Sequence, residues 1–307
     1  MLEFSMINTP SLWVDRERRM VGHMAVTLSG PLDELSFRHN QYLLGEYAQV
    51  QLESRGGLQF TVSAPVSFCI AGAAVEVNVA HKTYSSYEII PVLPKQTVTV
   101  GLPNCGKIIY LCFSTQFSLP KVLDSTCCVA REEFGGEYHN GKMLRAPYSC
   151  AMIKPKVLPY KNMHFTPAWQ NTLNPYLSVI PAYQHTKFDV VNRMKFTSAQ
   201  YKISSKADRM GYRLISETLL ETPTITESQP IALGAIQVPK DGLPIVLLAD
   251  KQTTGGYPII GCLSQLSITQ LVQLNDEFTF KWTEPETAHS QWHAQLAHDK
   301  GRLETNN

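Results

Sequence analysis

The stretch Gly234 to Gly261, "GAIQVPKDGLPIVLLADKQTTGGYPIIG", alternates short apolar runs with turn residues, and its reading decides the fold class. Pro239 to Gly242 has the composition of a β-turn, in which proline presets φ and glycine tolerates a left-handed backbone. The turn leads into "IVLLA", Ile245 to Ala249, a continuous apolar run with the length of a strand buried on both faces. That strand delivers Asp250 and Lys251 to the edge of a core. Thr253, Thr254, Gly255 and Gly256 follow, and hydroxyls beside unencumbered backbone N–H groups make a neutral donor surface suited to a carbonyl or carboxylate oxygen. The same residues also fit a tight turn that holds no ligand.

Strand signals continue outward from this stretch. "VEVNV" (Val75 to Val79) and "FTFKW" (Phe278 to Trp282) alternate with a period of two, while "IIYLCF" (Ile108 to Phe113) is another continuous apolar run. Helices are few. "DELSFRHNQYLLG" starts at Asp33 as an N-cap and stops at Gly45, and "LSQLSITQLVQL" places Leu263, Leu266 and Leu271 near one face. The fold class is therefore β-rich with a few short helices. A polar, Pro-containing region from Met152 to Pro175 separates two β-rich halves, so the expected domains are residues 1–160, residues 161–285 and a terminal helix and tail over 286–307, frayed at its end.

Composition excludes several function classes. The formal net charge is +1 with no long Lys/Arg block, whereas nucleic-acid binding needs clustered cations to displace counterions. No run approaches the roughly 20 apolar residues of a membrane span, and the first residues lack the order of a signal peptide, so a cytoplasmic protein is expected. The 7 cysteines, without a CxxC pair, read as reduced and mostly buried thiols, the vicinal Cys127 and Cys128 included. "GLPNCGKI" (Gly101 to Ile108) has phosphate-loop spacing, but Ile108 stands where a magnesium-binding hydroxyl is needed and a strand follows instead of a helix, so it reads as a turn between strands. His289 and His293, four apart near the end of the sequence, read as a solvated helix face, with no metal expected. Lys154 lacks the flanks of a biotin-acceptor lysine, and no biotin is expected on this chain.

The second half also carries "SSKADRMGYRL", Ser204 to Leu214, in which Arg209 and Arg213 flank Met-Gly-Tyr. Gly211 signals a bend or a close backbone approach, and either guanidinium suits a bidentate grip on a carboxylate. A pair of structural salt bridges fits the two arginines equally. Taken together, "ADRMGYRL", "GAIQVPKDGLPI" and "LLADKQTTGGYPIIG" closely resemble the carboxyltransferase-like family that contains the C subunit of bacterial 5-oxoprolinase, a regulator that antagonises a histidine-kinase inhibitor, allophanate hydrolase subunit 2 and a domain of urea carboxylase. "VTLSGPLDELSFRHNQYLLGE" (Val26 to Glu46) resembles an early family stretch at Ser29, Gly30 and Asp33, with Pro31 and Leu32 departing from it.

The resemblance implies two cyclophilin-like β-barrel lobes. It further implies an ATP-dependent opening of 5-oxo-L-proline to glutamate, carried out with an A subunit together with a smaller, related B subunit. ATP, used by the assembly, would activate the lactam as a phosphorylated intermediate, and the resemblance leaves open whether the nucleotide touches this chain directly. On this reading Arg209, Arg213, Gln237, Asp250 and Lys251 are the catalytic set: the arginines hold a carboxylate, Gln237 donates to an oxygen, and Asp250 and Lys251 manage charge or protons. Substrate-binding positions are Tyr212, Thr253, Thr254, Gly255, Gly256, Tyr257, Ser29 and Asp33. The first half departs from the family pattern. Thr115 and Gln116 replace a Gly-Gly pair, Lys142 replaces an arginine, and the Gly-Pro expected before Gln184 is missing. Two further readings stay open: a regulatory module that binds a kinase-inhibiting partner, and a carboxyltransferase for a urea-like substrate served by a separate biotin carrier.

Overall fold

In the computed structural model, which describes residues 1–171, 175–224 and 227–304, most elements are strands and the helices are few, all but the last of them short. The chain divides into two units. Unit 1 comprises Met1–Arg18, Asp33–Gln170 and the end of the chain from Ala297; unit 2 comprises Arg19–Leu32 and Asn171–Leu296.

Unit 1 is built from two six-stranded sheets around one core. The first contains Leu2–Ile7, Leu58–Val62, Val98–Val100 and Glu76–Val79; the second is centred on Val66–Ala74 and Cys105–Phe113. Alternation in the first sheet sends Val77 and Val79 inward and Glu76 and Asn78 to solvent, as a sheet with one wet face requires. Cys105–Phe113 is buried without interruption from Ile108 onward, which is why its sequence lacks alternation. Phe60 of one sheet meets Phe68 and Phe113 of the other at ring centroid distances of 5.5 and 5.3 Å, edge to face. Truncating such a ring to alanine costs about 3–5 kcal/mol.

Helix α1 (Glu34–Leu44) begins where the sequence places it. Asp33 caps it, its Oδ1 accepting from Ser36 N–H (3.0 Å) and its Oδ2 from Ser36 Oγ (2.6 Å). From the inner face of α1, His39 Nε2 donates to Asp299 Oδ2 (3.0 Å) near the end of the chain, while Nδ1 shares a hydrogen with Tyr87 OH (3.0 Å). All three side chains are buried.

Unit 2 centres on a seven-stranded sheet in the spatial order Lys202–Ile203, Gly211–Ile215, Ile245–Leu247, Ala235–Gln237, Ile259–Leu263, Tyr176–Pro181, Thr279–Trp282. Its two edges meet, because Tyr201 and Phe278 exchange backbone hydrogen bonds of 2.9 and 3.1 Å. Closure removes the unpaired strand edges that an open sheet would expose. Gly211 makes the close approach its sequence context suggests: a Cβ there would stand 2.8 Å from Val246 O.

Three further helices follow, α2 (Val190–Ser198), α3 (Gln265–Gln273) and α4 (Pro285–Glu304). The sequence pattern does not announce α2. Its Val-Val start has weak helix propensity, and Asp189, whose carboxylate accepts from Asn192 N–H at 2.7 Å, is the signal that marks it. In the segment expected to form α3, Leu263 instead ends a strand, and the helix starts after Ser264 as N-cap. The expected fraying beyond Glu304 lies outside the described residues.

Candidate functional site

The strand Ile245–Leu247 lies between Gly211–Ile215 and Ala235–Gln237, and the chain leaves it at Asp250. There the backbone N–H of Asp250 donates to Arg209 O (2.8 Å), and the two side chains close a bidentate pair, Nε to Oδ2 at 2.8 Å and Nη2 to Oδ1 at 3.1 Å. Arg209 Nη2 also donates to Gly30 O (2.6 Å) and to Ser29 Oγ (3.2 Å). Ser29 Oγ donates to Asp250 Oδ1 (2.6 Å), and Thr27 Oγ1 donates to Lys251 O (3.1 Å). A short early segment of the chain is thus tied to the start of the Thr-Gly loop, all within unit 2.

Burial sets what this network can do. Arg209, Asp250 and Ser29 are all buried, so each charge depends on the other for its solvation. The carboxylate that Arg209 grips is Asp250 of the chain itself, and the same guanidinium also serves Gly30 and Ser29. Ser29 has φ 57° and Gly30 φ 104°, both in the left-handed region. Serine seldom adopts that region, and the hydrogen bonds from Ser29 Oγ to Asp250 and from Arg209 to Gly30 O hold it there.

Beyond Lys251, also buried, the loop reaches solvent at Thr254, Gly256 and Tyr257 while Gln252, Thr253 and Gly255 stay half-buried. Backbone pairing fixes its shape: Ile231 N–H donates to Thr253 O (2.9 Å), and Thr254–Gly255 pairs antiparallel with Gln229–Pro230. Beneath it lies Gln237, buried, its amide nitrogen without a hydrogen-bond partner among the described residues. Gln184 is buried as well, its Oε1 accepting from Ile259 N–H at 2.7 Å, where the chain re-enters the sheet. The loop presents hydroxyls, backbone N–H groups and carboxamides, donors without a net positive charge, which match a carbonyl or carboxylate oxygen.

Other expected residues stand apart from this group. Arg213 faces solvent and pairs with Asp241, the salt-bridge alternative that its sequence left open. Tyr212 is buried within its strand. Asp33 caps α1 in unit 1, as described above. Conversely, Thr27, Gln229 and Gln252 belong to the unit 2 arrangement without having been singled out. Thr27 sits two residues before Ser29 in the quoted "VTLSG", and Gln252 inside "DKQTT", but isolated glutamines and threonines carry no spacing signal.

Cys262, on the strand Ile259–Leu263, donates to Leu233 O (3.1 Å). Burial pushes its thiol up to about 11, and the Lys251 ammonium pulls it back in part. Among the described residues no three His, Cys, Asp or Glu side chains gather as a metal site. His289 and His293 stand side by side on α4, ring centroids 4.3 Å apart, both exposed. No helix of the described residues is long and apolar enough to cross a membrane.

Comparison with known proteins extends these observations. The family model described as carboxyltransferase domain, subdomain A and B, matches residues 24–284. The 5-oxoprolinase C subunit of Haemophilus influenzae is 29% identical over 256 residues, which is 82% of this chain and 81% of that protein. Its namesake from Escherichia coli is 29% identical over 250 residues, 80% of this chain and 78% of that protein. Among solved structures, the urea carboxylase of Kluyveromyces lactis superposes with a TM-score of 0.84 at 20% identity, over 99% of this chain and 29% of that one. This last likeness is one of fold, and the chain spans less than a third of that enzyme.

Proposed function

Because the chain belongs to the carboxyltransferase domain family, subdomains A and B, we propose that it is the C subunit of an ATP-dependent 5-oxoprolinase, opening 5-oxo-L-proline to L-glutamate with A and B subunits in the cytoplasm. Two relatives that bear the name of that component support the reading, each matched over most of its length. The observation that carries it on this chain is the buried Arg209–Asp250–Ser29 network, which anchors the start of a donor-rich loop.

Opening the lactam breaks its C–N bond, places the oxygen of water on the carbonyl carbon and returns a proton to the nitrogen. Charge collects on the carbonyl oxygen as the ring opens, and preorganised neutral donors stabilise it most where water is excluded. Gln237, with Thr253, Thr254 and the backbone of Gly255 and Gly256, supplies such donors. Lys251 adds a buried positive charge at the loop's start, Tyr257 an exposed ring at its end. Arg209 and Asp250 act through the loop they fix. Ser29 and Thr27 extend that support.

ATP belongs to the assembly in this proposal, and the stretch with phosphate-loop spacing, Gly101 to Ile108, does not form a nucleotide loop. Gly101 to Asn104 joins the strands Val98–Val100 and Cys105–Phe113, and Gly101 N–H is already given to Glu76 O at 2.9 Å. No helix N-terminus follows to receive phosphate. No step is therefore routed through nucleotide bound here, nor through biotin attached to this chain.

The test is copurification of the tagged chain from its native cells, followed by an assay for ATP-dependent release of glutamate from 5-oxo-L-proline. Recovery of A-like and B-like partner proteins with that activity is the expected result. A B-like partner without turnover would replace the enzyme reading with a regulatory one.

A further inference from the structure

Two tethered loops of unit 1 border a cleft of about 580 Å³. One runs from Ile7 to Pro10, where the backbone N–H of Asn8 donates to Gly57 O (3.1 Å) and Thr9 Oγ1 donates to Gly56 O (2.6 Å). The other runs from Asn140 to Arg145. Gly141, at φ +72°, donates its N–H to Gly135 O (3.1 Å), and a Cβ there would lie 2.4 Å from Val129 O, so the turn requires glycine. Lys142 N–H donates to Asn140 Oδ1 (3.1 Å) and Leu144 N–H to Ser11 O (2.8 Å), with the Leu144 side chain buried in the core. The segment that carries Lys142 and Arg145 is thereby tied down along its length.

Charge singles this cleft out. Lys142, Arg145 and Glu133 line it, and all three side chains reach solvent. None of the three charged groups makes an ion pair or a side-chain hydrogen bond among the described residues. The carboxamides of Asn8 and Asn140 add neutral donors and acceptors, and the half-buried Ile7 and Met143 add apolar surface. The volume lies in the range of small-molecule sites, which combine apolar lining with a few polar groups in this way. A cleft of about 650 Å³ in unit 2 differs, because its cation, Lys202, is already paired with Glu277 at 2.6 Å.

We infer that the cleft binds an acidic amino acid, with Arg145 and Lys142 holding its two carboxylates and Glu133 its ammonium group. Two unpaired cations and one unpaired carboxylate are the complement of that ligand's charges, and the single excess positive charge of the cleft answers the ligand's single excess negative charge. The Arg145 guanidinium is a planar fork that matches a carboxylate bidentately, while the Lys142 ammonium is a point charge that serves the second. Asn8 and Asn140 supply hydrogen bonds to the remaining carboxylate oxygens, and the ligand's methylene stem lies against Ile7 and Met143. This site shares no residue with the Thr-Gly loop, which belongs to unit 2. L-glutamate, the product of the proposed ring opening, is such a ligand; its choice as occupant rests on that reading, whereas the ligand class rests on the cleft alone.

The test is equilibrium dialysis of the isolated full chain against radiolabelled L-glutamate, with glutarate, which has both carboxylates and no ammonium, as competitor. Saturable binding that weakens as salt is added is expected. Glutarate should compete about fivefold less well than unlabelled glutamate, the scale of one exposed ion pair. Glu133→Gln should erase that preference, and the double variant Lys142→Gln with Arg145→Gln should abolish saturable binding; all three positions are exposed, so folding tolerates the changes. No saturable binding of glutamate would overturn the inference, as would binding that survives in the double variant, which would put the ligand elsewhere on the chain. A preference over glutarate that persists in Glu133→Gln would remove the assigned role of Glu133 and with it the ligand class. Because no partner protein is present, the result stands apart from whether any assembly turns over 5-oxo-L-proline.

Discussion

Replacing Arg209 by methionine keeps the aliphatic stem and removes the guanidinium. Asp250 then loses donors at 2.8 and 3.1 Å and keeps only Ser29 Oγ among the side-chain partners described above, while Gly30 O loses its donor at 2.6 Å. Stranding a buried charge in this way costs about 3–5 kcal/mol. At ~2–4 °C per kcal/mol for a body of this size, the unfolding transition of unit 2 should fall by roughly 6–20 °C in scanning calorimetry. The pair to compare is Arg209→Met with Asp250→Leu. Removing both charges abolishes the stranded carboxylate, and such apolar replacements are often near neutral. Recovery should nevertheless be incomplete, because Gly30 O and Ser29 Oγ still lack partners at about 1–3 kcal/mol each. A single variant that melts within 2 °C of the parent, on this roughly 2–4 °C scale, would refute the argument. So would a double variant whose loss is as large as the sum of the singles, since the two charges would then be acting independently.

Asp33→Ala should cost about 0.5–2 kcal/mol through loss of the α1 cap, read as a lower urea midpoint for unit 1. Asp299→Leu leaves His39 Nε2 buried without its acceptor and should destabilise unit 1 by about 1–3 kcal/mol, with earlier proteolysis at the end of α4. Alkylation of Cys262 by iodoacetamide should rise about tenfold per pH unit from pH 8 to 10, because the thiolate is the nucleophile and burial holds its pKa at about 11. A rate that levels off below pH 9, about two units under that pKa, would contradict this environment. Gly72→Ala should destabilise strongly, since φ is +102° and the new Cβ would lie 2.4 Å from Ile108 O; wild-type thermal stability would remove the packing argument.

The legible parts of the fold were those whose physics is local. Asp33 before "ELSFRHNQYLL" and Gly45 after it are an N-cap and a stop that the structure reproduces. The alternation of "VEVNV" and the unbroken apolar run "IIYLCF" gave correct strands, one facing water and one enclosed. What stayed hidden depends on residues far apart in sequence. Nothing in the spacing of Arg209 and Arg213 says that the first pairs with Asp250 and the second with Asp241; that division follows from Arg209 preceding the strand Gly211–Ile215 and Arg213 lying at its middle. Likewise Gln229 meets Gly255 only through strand register. Helix α2 escaped notice because Val190, Val191 and Met194 face solvent, whereas an amphipathic pattern would have placed such residues inward.

The interleaving of the two units dictates an order of events during synthesis. A ribosome completes Thr27, Ser29 and Gly30 long before Arg209 and Asp250 exist, so this early segment must wait through almost all of unit 1 for its partners. Unit 1 waits longer still, because Asp299, the acceptor for His39, arrives with the last turns of α4. Unit 2 lacks the partner of Ser29 until residue 250 has been added, and unit 1 lacks the acceptor for His39 until residue 299 has. Pairings this distant carry a loop-closure cost before they return any stability, and that slows folding. A fragment cut cleanly between residues 170 and 171 would separate Ser29 from Asp250 and His39 from Asp299, leaving each half with a buried polar group made for the other.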